Sequence, residues 1–79
     1  MDEIETQIMQ IMSTRPEGME ASEVVRELYN RFGSEYPYKR IRRKLNSMCE
    51  WSILTKTSFK KEGAKGPERN LYTIVKEGS

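Results

Sequence analysis

The chain has 79 residues, with 14 Lys/Arg, 12 Asp/Glu, one Cys and no His, for a net charge of +2. A single Cys (Cys49) excludes an internal disulfide framework, and the lack of His removes almost every zinc site and histidine acid–base catalysis with it. No apolar run exceeds two residues, so the sequence holds neither a transmembrane helix nor a secretory apolar core, and a cytoplasmic binding module is expected rather than an enzyme.

The first segment, 2–13, has the spacing of an amphipathic helix. Ile4, Ile8 and Ile11 fall at i, i+4 and i+7 with Met12 beside them, while Asp2, Glu3 and Glu5 load the first turn with the charge a helix dipole favours. Pro16 and Gly18 interrupt the pattern. Met19 is placed to supply a residue or two of short strand.

A second helix is predicted over 20–32, with Val24 or Val25, Leu28 and Phe32 turned inwards. Glu23 stands where a carboxylate can reach back to the helix start, and Gly33 suits a left-handed C-cap. The third helix, 37–50, opens on Pro37, a residue favoured at the first helical position. Ile41, Leu45 and Met48 repeat at i, i+4 and i+7 as its buried stripe. The opposite face carries Lys39, Arg40, Arg42, Arg43 and Asn46, so it is cationic with one amide. Trp51 at its end reads as a cap on the core.

From Ile53 the pattern changes to β-branched and aromatic residues, and strands are predicted over 53–59 and 70–75. Between them, 60–69 contains two Gly and one Pro together with Lys60, Lys61, Lys65 and Arg69, the composition of a basic hairpin tip. Two strands alone are not stable in water, so the hairpin must pack on the helices.

The net charge conceals a division. Residues 1–35 hold eight acidic residues against three Arg; residues 36–69 hold ten basic residues against three Glu. Such an asymmetry creates a local field that suits a polyanion on one side only.

Three stretches in this order resemble a winged helix-turn-helix domain. Met19–Leu28 is similar to the family's short strand and second helix. Tyr36–Leu45 looks like its turn and recognition helix, with Ile41 and Leu45 as core anchors. Leu71–Gly78 resembles the closing strand. The resemblance implies one α+β domain over 1–79: three helices followed by a two- to three-stranded antiparallel hairpin sheet. It also implies binding of double-stranded DNA, with the third helix in the major groove and the hairpin tip as a wing.

On that reading Tyr38, Lys39, Arg40, Arg42, Arg43 and Asn46 form the recognition-helix set, and Lys60, Lys61, Lys65 and Arg69 the wing set. The cations suit phosphates, an Arg suits a guanine edge, and Asn46 has the donor–acceptor pair that matches adenine. No cofactor or metal is implied. A single module binds weakly, so a transcriptional regulator of this size is expected to act as a homodimer, for which helix 1 with Met9, Glu3 and Glu5 is the nominated surface. The rival expectation is a protein-docking module working through Glu17, Glu20, Glu23 and Glu27.

Overall fold

A computed structural model describes residues 2–59 and 69–75. The elements run α1 (Glu3–Ser13), α2 (Ala21–Phe32), α3 (Tyr38–Glu50), β1 (Leu54–Phe59) and β2 (Arg69–Ile74). The architecture is α+β, three helices followed by an antiparallel two-stranded hairpin, which is the element order of a winged helix.

Each helix begins and ends for a local reason. Asp2 caps α1: its Oδ1 accepts from the Glu5 backbone N–H at 2.8 Å, while the Asp2 N–H donates to Glu5 Oε1 at 3.3 Å. This reciprocal box satisfies donors that the first turn leaves without partners. In α2 the Glu20 N–H donates to the Glu23 side chain at 3.1 Å, the reach-back expected from the spacing. Gly33 closes α2 at φ 66°, with its N–H on the Tyr29 carbonyl and the Ser34 N–H on Leu28. Pro37 stays extended (φ −62°, ψ 144°) as the N-cap of α3 rather than its first helical residue.

The core joins all five elements. Ile4, Ile8, Ile11 and Met12 of α1 meet Val24 and Leu28 of α2, Ile41, Leu45 and Met48 of α3, and Leu54 and Tyr72 of the hairpin. Phe32 lies on the buried azimuth of α2 but in its last turn, past the end of this core, and is exposed. Trp51 also departs from its expected place. It is 54% exposed, because the chain turns at Ser52 (φ 62°) and delivers Ile53 and Leu54 inwards in its stead.

In the hairpin, Leu54 pairs with Ile74 and Phe59 with Arg69. The other side of β2 takes Met19. Its N–H donates to the Tyr72 carbonyl at 2.9 Å, and the Tyr72 N–H donates to the Met19 carbonyl at 2.8 Å. Met19 thus adds a single bridge to the two-stranded sheet and ties the chain before α2 to the strand that closes the domain. The expected wing tip, with Lys60, Lys61 and Lys65, lies outside the described residues.

Candidate nucleic-acid interface

Burial of Ile41, Leu45 and Met48 fixes which way α3 faces. Lys39, Arg42, Arg43 and Asn46, spaced i, i+3, i+4 and i+7, share the opposite side, where the three cations are exposed and Asn46 is half-buried. Arg40 is exposed beside them, its guanidinium 5.3 Å from the centre of the Tyr36 ring. Tyr38, the first residue of α3, is 50% exposed. Pro37, Lys39, Arg40, Arg43, Lys44 and Ser47 together line an open hollow of about 550 Å³ along the helix.

The distribution of ion pairs sorts these cations from the others. On the acidic side, Arg15 lies 3.9 Å from Glu17, 3.9 Å from Glu23 and 3.5 Å from Glu27. Arg31 reaches Glu27 at 3.1 Å, and Arg69 reaches Glu20 at 3.5 Å. Lys44, on the flank of α3, is drawn to Asp2 at 2.8 Å and Glu5 at 3.5 Å. Among the described residues, Lys39, Arg40, Arg42 and Arg43 have no carboxylate at ion-pair distance, nor have Arg26 and Lys56. Exposed pairs contribute little to stability, but they cancel charge locally, and the field of α3's outer face is left uncancelled.

Two expectations change with this geometry. Arg69, grouped with the wing cations by sequence, faces Glu20 at the start of α2. Asn46 is engaged as well: the Tyr72 hydroxyl donates to its Oδ1 at 2.8 Å, so the oxygen that would pair with an adenine amino group is turned towards the hairpin. Lys44, which the recognition set does not include, is held instead by its two carboxylate partners on and beside α1.

The α1 surface nominated for self-association also looks different in three dimensions. Glu5 is buried in the cap and the Lys44 pair, and Met9 packs partly against the core, leaving Glu3 as the exposed member. Sequence reading missed a second hollow of about 350 Å³, lined by Val25, Arg26, Tyr29, Ser34, Glu35 and Tyr36. Tyr29, 60% exposed, is the large apolar side chain of that hollow.

The Lys44 hydrogen bond, followed by the Glu5 N–H, holds the Asp2 carboxyl well below its usual range, at about 2. The same contact raises Lys44. A carboxylate whose folded pKa is depressed stabilises the native state above its unfolded pKa and loses that contribution as pH falls through the folded one. The domain should therefore weaken between about pH 4 and pH 2. Asp2→Asn keeps a good cap but removes the titration, so its melting temperature should sit below that of the native protein at pH 5 and converge with it near pH 2. Thermal melts across that range check it; parallel curves would count against the pairing.

Burial pushes the Cys49 thiol up, away from nucleophile chemistry. Among the described residues no three His, Cys, Asp or Glu side chains converge as a metal site, and no helix is long and apolar enough to cross a membrane. No protein-family model matches the chain, and no curated protein matches its sequence.

Proposed function

We propose that this domain binds double-stranded DNA through the outer face of α3, in the manner of a winged helix-turn-helix module, and serves as a small transcriptional regulator. The observation that carries the reading is the segregation of charge. Six acidic residues on or beside α1 and α2 have basic partners within the domain, while Lys39, Arg40, Arg42 and Arg43 have none among the described residues. A surface of unneutralised cations on a convex helix suits a phosphate backbone. A helix with side chains is about 10–12 Å across, and the major groove is about 12 Å wide, so the two match in size.

The rival docking reading calls for an acidic working face. Its residues Glu17, Glu20, Glu23 and Glu27 are those already compensated by Arg15, Arg31 and Arg69, which weakens their attraction for a basic partner. Regulation by DNA binding then asks for two modules on one site, since one module makes few contacts.

The test is fluorescence anisotropy with a random-sequence duplex over a salt series. Four α3 cations with one or more from the hairpin give about five phosphate contacts, and log affinity should fall with log salt at a slope of roughly −4 to −5. Absence of binding even at low salt would rule the proposal out, because non-specific affinity is the component every DNA-binding surface has.

A further inference from the structure

Tyr72 is held beside α3 by burial and by its backbone. Its ring is buried, 1% exposed, and its backbone is bonded on one side to Lys56's strand and on the other to Met19 in both directions. From this fixed base its hydroxyl donates to Asn46 Oδ1 at 2.8 Å. Burial raises the phenol, so it stays a neutral donor at any working pH. The partner residues are 26 positions apart and belong to the helix and the hairpin respectively.

The consequence lies at the exposed end of the Asn46 side chain. An Asn reads adenine by presenting oxygen and nitrogen together, the oxygen accepting from the amino group and the nitrogen donating to N7. Here the oxygen points back at a buried phenol. The oxygen and nitrogen of a carboxamide diverge from a common carbon, so with the oxygen turned towards the phenol the amide nitrogen, with its two N–H donors, is the atom left to meet a ligand.

We propose that Tyr72 is a positioning residue that makes Asn46 present its amide donors to the base edge, selecting guanine, whose O6 and N7 are both acceptors, over adenine, whose N7 acceptor stands beside an amino donor. This rests on the DNA-binding reading and adds to it the base chemistry that one position of the site must offer. Asn46 continues the stripe of Lys39, Arg42 and Arg43, so it approaches the groove with them whenever α3 does.

The test is selection from a randomised duplex library by the native protein, Asn46→Ala and Tyr72→Phe. The base position whose preference disappears in Asn46→Ala identifies where Asn46 reads. At that position the native protein should favour guanine over adenine by roughly tenfold. Tyr72→Phe releases the oxygen and should move the preference towards adenine at that position alone. A general loosening of the fold would instead lower affinity for all sequences equally, so the base preference separates positioning from stability. Native selection of adenine there, an unchanged preference in Tyr72→Phe, or no position responding to Asn46→Ala would each overturn the inference while leaving DNA binding intact. Failure of the native protein to retain any duplex would overturn both.

Discussion

Lys39→Glu combined with Arg43→Glu should lower affinity for a random-sequence duplex by on the order of 100-fold or more at about 0.1 M salt. The figure follows from counterion release. Each phosphate contact contributes a slope of about 0.9 in log affinity against log salt, so at that concentration two lost contacts come to about 60-fold, and two new carboxylates facing phosphates add repulsion. The salt slope should fall by about two contacts' worth as well, to between roughly −2 and −3.

These two positions isolate the binding face from the fold. Both side chains are exposed, neither has an ion-pair partner among the described residues, and they sit one turn apart on the same side of α3. At Lys39, in the first turn, a carboxylate is favourable to the helix dipole, so stability should change little. The matching control is Glu17→Lys with Glu27→Lys, which alters the acidic side beside Arg15 and leaves the Glu23 reach-back at the start of α2 in place. Under the DNA reading that control binds at least as well as the native protein. Loss of binding in the control with none in the α3 variant would place the working surface on α2 instead.

Gly18→Ala should destabilise the domain by about 3 kcal/mol. Gly18 has φ 103°, a conformation that L side chains rarely adopt. A Cβ there would lie 2.9 Å from Leu71 Cγ, 2.9 Å from Thr73 Oγ1 and 3.0 Å from the Tyr72 carbonyl oxygen. The first two can shift. The third is backbone, and that carbonyl accepts from the Met19 N–H at 2.9 Å, so moving it opens the bridge between Met19 and β2.

Gly33→Ala provides the comparison. Gly33 is also left-handed, at φ 66°, but nothing stands within 4 Å of the added Cβ. Its cost is therefore backbone strain alone, about 1 kcal/mol. Urea unfolding of the two variants reads the difference directly. A chain of 79 residues has a total stability of about 4–12 kcal/mol, so the first substitution removes a large fraction and the second does not. Equal losses at both positions would mean that close packing at Gly18 contributes nothing. Because Tyr72 carries both the bridge and the Asn46 contact, Gly18→Ala should also weaken the setting of Asn46.

The helices were legible because each is announced by neighbours. Ile4, Ile8 and Ile11 repeat at the helical period and are buried; so do Ile41, Leu45 and Met48. Glu23 reaches three residues back and Gly33 turns the chain five residues after Leu28, both distances that spacing alone can measure. The cationic face of α3 followed from the same periodicity, because burying one stripe necessarily exposes its opposite.

Phe32 and Trp51 were misjudged for different reasons. Periodicity gives the direction in which a side chain points but not where along the helix axis the core ends, and Phe32 lies beyond that end; Trp51 yields its place to Ile53 and Leu54 because the chain turns at Ser52.

What the sequence determined by itself, then, is the order and type of the elements, the caps of α2, and the separation of an acidic half from a cationic helix face. These depend on interactions within a turn or two, where geometry is set by the backbone. Only the tertiary structure decided how the charges are shared out and what the polar groups do. Lys44 meets Asp2 across 42 residues, Arg15 gathers the carboxylates of α2, and Tyr72 takes the oxygen of Asn46 across 26. Such pairings are products of packing. Once the apolar stripes lock α1, α2, α3 and the hairpin together, each polar side chain at the seams finds whichever partner that docking brings within reach, and no spacing along the chain encodes it.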